Sequence, residues 1–299
     1  MMKASDNFRG AALMAASMAC FVINDSMVKL VSENLGLFQI IFLRGLLATT
    51  LLGVMAVNKK SLFPILNKSD WKILAYRSVG EVGATLCYLT ALFNMPLANA
   101  TAILQVLPLA VTLGAAFFLK EAVGWRRYLA IMVGFAGILI IVRPGSQGFN
   151  AYSIWALAAV GFVTLRDLST RQLSAHVPSI FVSLMTAVMV TVLGGVMSGV
   201  LEWKPVGGDD LRLLSAAALF LIFGYLFSVM TMRVGEISFI SPFRYTALIW
   251  SIALGFFVFG DVPDSWTLLG SVIVVLMGIY TFYRERKIKR LERAANIAL

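Results

Sequence analysis

Seven ionisable side chains stand inside stretches of sequence otherwise fit for lipid: Arg44, Arg77, Arg166 and Arg244, with Asp25, Glu81 and Asp167. A charge at the centre of a bilayer costs from about 3 to more than 10 kcal/mol, so each must face protein or a watery cavity. Asp25 and Lys29, Arg77 and Glu81, and Asp167 and Arg171 stand four residues apart on one helix face, the spacing of an ion pair that fixes helix orientation. Arg44, Arg166 and Arg244 have no acid three or four residues away, and the adjacent Arg166 and Asp167 are expected to point apart. These arginines must pair across helices, bind carbonyls, or meet an anionic group that arrives, for which the guanidinium fork is suited. Arg44 either closes on Asp25 or joins such a site. Arg244 is assigned to the substrate: Pro242 bends its helix, and Tyr245 and Trp250 add aromatic surface. Glu81, the deepest acid, suits an ammonium or sulfonium group or a coupling proton, the alternative being a bridge to Arg77. Tyr88, seven residues on, shares its face and offers a ring to a flat group or a cation.

Two further positions complete the set. Asn24 adjoins Asp25, and Gln105 shares a helix face with Thr101 and Pro108, where polar groups serve equally as interhelical glue. The substrate-binding candidates are thus Arg244, Tyr245, Glu81, Tyr88, Gln105, Arg166, Asp167, Arg44, Asn24 and Asp25, with Glu81 as the coupling candidate. Arginines, a carboxylate and aromatics together suit a zwitterion such as an amino acid or an amino-acid-bearing metabolite, and do not exclude a flavin. No catalytic residue, metal site or cofactor is expected. Cys20 and Cys87 sit in apolar runs and the one histidine, His176, lies between runs. Neither a GxxxxGK[ST] nor a GxSxG stretch occurs.

The elements that must position these groups follow from composition. Of the 299 residues, 60% are hydrophobic and 13% charged, with a mean hydropathy of +0.87; soluble chains are nearer a quarter charged. Apolar runs of about 20 residues recur, the length a helix needs to cross hydrocarbon. The runs predict ten helices at 8–31, 37–57, 71–93, 98–119, 125–143, 150–172, 178–201, 210–233, 237–260 and 264–284, an all-α membrane protein. Sixteen Lys and Arg, from Lys3, Arg9, Lys59 and Lys60 to the six beyond Tyr283, fall on one side. Four (Lys29, Arg143, Lys204 and Arg212) fall on the other, so both termini are expected in the cytoplasm. The net charge of +10 is therefore read as topology rather than nucleic-acid binding. The tail RERKIKRLER either anchors that topology or touches anionic membrane lipid.

The halves echo one another. Asn24 to Lys29 (NDSMVK) matches Arg166 to Arg171 (RDLSTR), FFLKEAVGW matches FVFGDVPDSW, and Gly137 and Gly278 each lie twelve residues beyond the tryptophans of those stretches. Five spans per half is an odd number, so the second half enters from the opposite side. The expected architecture is two inverted five-helix repeats, residues 1–146 and 147–299, the second with a basic tail. Gly134, Gly137, Gly270 and Gly278 suit close packing of spans 5 and 10, within one chain or in a homodimer.

The NDSMVK start, the stretch FFLKEAVGWRRYLAIMVGFAGILIIVRP, and SPFRYTALIW followed by FFVFGDVPDSWTLLGSVIVV resemble the drug/metabolite transporter superfamily in its EamA-domain branch, over almost the whole chain. The order of features is most similar to S-adenosylmethionine uptake carriers. It also resembles carriers of riboflavin, amino-acid exporters and metallophore exporters. The resemblance implies a secondary transporter of the cytoplasmic membrane, with a central cavity lined by spans 1, 3, 4, 6, 8 and 9. An intramembrane enzyme is the disfavoured alternative. Cysteine-accessibility labelling of the two termini is expected to find both on the cytoplasmic face; labelling from opposite faces would overturn the repeat.

Overall fold

The computed structural model describes residues 4–59, 62, 64, 66–120, 123–145, 149–174, 176–201, 203–234 and 240–298. The expected repeat boundary at 146/147, Lys3 and Lys60, part of the FFLKEAVGW stretch, and the first residues of the ninth span (237–239) lie outside these.

The described residues form helices and no strand. They are α1 (Ala4–Val31), α2 (Leu37–Asn58), α3 (Lys68–Asn94), α4 (Leu97–Leu104), α5 (Leu107–Phe118), α6 (Trp125–Val142), α7 (Tyr152–Gln172), α8 (Ser179–Val200), α9 (Gly208–Val234), a 3-10 turn (Ser241–Tyr245), α10 (Thr246–Phe259) and α11 (Ser265–Ala298). Helix α4 and α5 make one rod, as do the turn and α10, so the ten expected rods are present. The first of these rods breaks before Pro108, which has no amide hydrogen to give; Gln105 and Val106 turn instead onto carbonyls three residues back. Helix α11 runs well past the expected end at 284.

Eight rods are long and apolar enough to cross a membrane, which makes the chain a multi-pass membrane protein. The two that fall short, α3 and α7, carry Arg77 and Glu81, and Arg166 and Asp167. Elsewhere, hydroxyls in the helices bond to carbonyls four residues back on their own helix, as Thr90 does to Leu86, Thr164 to Val160 and Thr281 to Met277. Such side chains sit in apolar helices without calling for an outside partner.

The chain packs as two units, each drawn from both sequence halves: Met1–Val22, Pro96–Asn150 and Phe223–Leu299, and Ile23–Met95 with Ala151–Ile222. In the first, α6 lies on α11 where a Cβ at Gly270 would stand 2.5 Å from the Gly137 carbonyl oxygen. That is the expected packing of spans 5 and 10. A Cβ at Gly134 would lie 3.6 Å from Met277 of α11, and Gly134 also admits Leu109, whereas Gly278 admits the Tyr245 hydroxyl. Ser17 donates to the Gly224 carbonyl at 2.7 Å beneath the Phe21 ring.

In the second unit α3 packs on α7 and α2 on α8. Gly45 makes room for Thr191, whose hydroxyl also meets that of Thr49 at 3.0 Å. One end of this unit is closed by Leu74, Val177, Phe181 and Val182. Beside it Asp70, in the first turn of α3 and outside the apolar span, ties α3 to the α7–α8 loop. Its Oδ1 accepts from the Ser174 amide at 3.2 Å, and His176 Nε2 lies 3.5 Å from Oδ2. Asn67 caps the same turn by accepting from the Asp70 amide at 2.7 Å.

Hydrogen bonding from Ser174 first, then from Asn67 and with the charge of His176, holds the Asp70 carboxyl below its ordinary value despite burial. A depressed native value stabilises the fold above the unfolded carboxylate value of about 4, and that contribution is lost as pH falls through the native value. The melting temperature of the wild type is therefore expected to exceed that of Asp70→Asn at pH 7 and to converge on it under acid conditions. A gap that stays constant with pH would refute the assignment.

Candidate functional site

Helix α3 displays one polar face. Arg77, Glu81 and Tyr88 fall along it, and Glu81 and Tyr88 are separated by seven residues, roughly 10 Å of helix. Each of the two belongs to a cluster, and both clusters lie within the second unit.

The first cluster surrounds Asp25. Tyr88 donates its hydroxyl to Asp25 Oδ2 at 2.7 Å and Asn24 Nδ2 donates to Oδ1 at 2.9 Å. Arg44 of α2 acts electrostatically on the same carboxylate. Lys29 reaches elsewhere, donating Nζ to the Met95 carbonyl. The Tyr88 ring is thus tethered by its hydroxyl. Asn24 is 2% exposed, and its Oδ1 has no hydrogen-bond partner among the described residues.

The second cluster surrounds Glu81. Arg166 Nη1 stands 3.5 Å from Oε2, and Arg77 Nη2 stands 4.0 Å from it. One sequence expectation is corrected here, and the Arg77–Glu81 pair is present at 4.0 Å. Arg166 and Asp167 do not point apart: Arg166 Nε donates to Asp167 Oδ1 at 2.9 Å, because the long arginine stem curls around the helix surface. The Arg77–Glu81 bridge is stretched, because Arg77 donates Nε to Thr170 at 2.9 Å and Nη1 to Thr186 at 2.8 Å. Thr170 and Thr186 were not foreseen. The sequence offers Thr170 only as a residue four beyond Arg166, and Thr186 carries no signal at all.

Two glycines let the clusters' helices meet. A Cβ at Gly80 would lie 2.8 Å from the Arg166 nitrogen and 2.9 Å from the Phe162 carbonyl oxygen, and one at Gly83 would enter the Phe162 ring. With backbones this close, Glu81 faces α7 rather than lipid.

The remaining candidates belong to the other unit. Gln105 is buried and donates to its own helix at the Thr101 carbonyl, 3.2 Å away. Tyr245 is 5% exposed with its hydroxyl against Gly278, so it packs rather than offering a free ring. Arg244 is exposed at the end of the 3-10 turn, and Trp250 is exposed on α10. Among the described residues no group of three His, Cys, Asp or Glu is placed to hold a metal ion.

Residues 8–143 match the model of the EamA-like transporter family. This part of the chain is an EamA domain of the drug/metabolite transporter superfamily. The chain is 28% identical over 218 residues to a riboflavin transporter of Vibrio cholerae, covering 73% of this chain and 72% of the relative. It is 24% identical over 271 residues to an S-adenosylmethionine uptake transporter of Rickettsia prowazekii, covering 89% of each. It is 25% identical over 267 residues to the pseudopaline exporter CntI of Pseudomonas aeruginosa, covering 86% and 89%. A solved crystal structure shares the fold with a TM-score of 0.62 at 17% identity, over 93% of this chain and 98% of that one. The relatives' names are those of membrane transporters of small metabolites, which agrees with an EamA domain and with eight apolar rods.

Gly80→Ala is expected to destabilise the protein by about 1–3 kcal/mol through overpacking between α3 and α7. Gly161→Ala, on α7 with open space around it, is expected to be neutral or slightly stabilising. Thermal melts of the purified protein compare them; equal melting temperatures would disprove the close backbone approach.

Proposed function

We propose that this protein is a secondary transporter of the cytoplasmic membrane, carrying a small zwitterionic metabolite by alternating access. The observation that carries the reading is the cluster of Glu81, Arg77, Arg166 and Asp167, four charges grouped on the two rods that are not among the eight apolar spans of a multi-pass membrane protein. Charge of both signs in one place matches a substrate that bears both. The Arg166 fork would meet a carboxylate, and Glu81 would take an ammonium or sulfonium group or a coupling proton. The Asn24–Asp25–Tyr88 cluster, about 10 Å along α3, supplies a second polar contact for an elongated substrate.

The internal repeat supports the transport mechanism. Phe162 rests on Gly83 in one unit and Phe21 rests on Gly224 in the other. Phe162 lies 141 residues beyond Phe21, and Gly224 lies 141 beyond Gly83, so the partners recur with their chain order reversed. Trp125 and Trp266 keep the same offset. A sequence that repeats its packing contacts in this reciprocal way fits two inverted five-helix repeats, the architecture that supports alternating access.

A flavin is the second reading, favoured by the Vibrio cholerae relative. A thermal-shift screen of the purified protein against S-adenosylmethionine, amino acids, riboflavin and polyamines discriminates, since a specific ligand stabilises the state it binds. Stabilisation by S-adenosylmethionine or an amino acid is expected. In proteoliposomes loaded against that ligand, Arg166→Lys is expected to reduce uptake at least tenfold, the loss of a bidentate contact worth about 1.5–3 kcal/mol. Uptake unchanged in Arg166→Lys, or stabilisation by riboflavin alone, would overturn the zwitterion reading.

A further inference from the structure

The turn Ser241–Tyr245, the start of α10 and the middle of α11 border an open groove, all of it within the first unit. Pro242, Phe243, Ile249, Val272, Val275 and Leu276 line it, and none of its lining residues is charged. The hydroxyls beside it are turned elsewhere. Thr246 donates to the Phe243 carbonyl at 2.7 Å, and Tyr245 is buried with its hydroxyl against Gly278. Such a groove suits hydrocarbon rather than a polar solute. Ile249, Val272 and Leu276 are exposed along it. Helix α11 is continuous from Ser265 to Ala298, so each residue advances about 100° and 1.5 Å. Counted from Val272, the exposed Ile279 and Tyr283 stay within about 20° of the groove face. Farther along, the positions of Arg286, Lys287, Arg290 and Arg293 fall within about 60° of that face. The two acids beyond Tyr283, Glu285 and Glu292, fall within about 40° of the opposite face. That opposite face carries Gly270 and Val274, which meet Gly137 of α6. The apolar span ends at Arg284, beside Tyr283, a residue type that favours the membrane–water interface. The exposed Lys287 lies about 18 Å along the axis from Val275, close to the roughly 15 Å depth of one leaflet of hydrocarbon.

We propose that the groove and this basic face together form a binding site for one anionic phospholipid, an acyl chain lying in the groove and the phosphate headgroup meeting the basic face. The groove by itself would take the chain of any lipid. The basic residues by themselves would attract any anionic surface. Set on one face of one helix, a leaflet's depth apart and with the acids turned away, they fit the two ends of a single molecule. The inference goes beyond the transport reading and does not depend on which solute the protein carries: it needs only α11 and its register.

Native mass spectra of the full-length protein, released from neutral detergent, count the lipids that stay bound. Three probes are compared: phosphatidylglycerol, phosphatidylcholine with identical chains, and glycerol phosphate, a headgroup without chains. Phosphatidylglycerol is expected to be retained at least fivefold better than phosphatidylcholine, about the effect of one cation on an anionic lipid. Glycerol phosphate is expected not to be retained. The double variant Lys287→Gln with Arg290→Gln is expected to bring phosphatidylglycerol down to the phosphatidylcholine level. Arg284→Gln with Lys289→Gln removes the same charge from positions off the groove face and is expected to keep the preference. Leu276→Trp fills the groove and is expected to abolish retention of both lipids; Val272→Trp, also exposed, stands in if that variant does not fold. No preference for phosphatidylglycerol, an equal loss in the two charge-removing variants, or lipid retained with the groove filled each overturns the proposal. So does a dimer that dissociates when the groove is filled, because a second copy would then be the occupant.

Discussion

The cost of placing an unpaired charge in hydrocarbon governs the arrangement of this protein. At about 3 to more than 10 kcal/mol per group, a single lipid-facing guanidinium would offset a large share of a domain's net stability. Helices α3 and α7 carry Arg77, Glu81, Arg166 and Asp167 and are the two rods too polar to count as ordinary spans. They lie against each other, and the charged groups meet there. Gly80 and Gly83 are what allow it, since a Cβ at either would collide with the backbone or ring of α7. Small residues and charges act jointly: the glycines bring the backbones close enough for the ionic groups to reach one another, and the ionic groups give α3 a reason to turn that face inward.

Satisfaction is uneven within this scheme. Most hydroxyls in the helices return to carbonyls on their own helix and take no further part. The bonds around Asp25 are short, at 2.7 and 2.9 Å, whereas those around Glu81 are long. Asn24 Oδ1 is buried without a donor among the described residues. A chain built only for stability would close such gaps. A chain that must bind and release a polar solute, as an EamA-type transporter does, gains from leaving a few groups weakly engaged.

The ten helical rods and the membrane class were legible because they rest on periodicity and apolar length, both local properties; the break of the fourth rod before Pro108 was not expected, although the missing proline amide is equally local. The charged positions were legible as a set for the same reason: charge inside an apolar run is visible without coordinates. Their partners were not. Arg166 was expected to turn from Asp167 because neighbours on a helix diverge, yet the flexible stem brings them together. Gly278 was read with Gly137 because both follow a tryptophan by twelve residues, yet it accommodates Tyr245.

What the sequence by itself determined is which segments enter the membrane and which side chains cannot face it, since both follow from transfer free energies that each residue carries alone. The tertiary structure decided which of those side chains answer one another: that Arg77 bonds to threonines on α7 and α8, that Glu81 is left with contacts of 3.5 and 4.0 Å, and that Tyr88 is spent on Asp25. Pairing of this kind depends on distances of a few tenths of an ångström between helices far apart in the chain, and side-chain reach allows several partners until packing selects one.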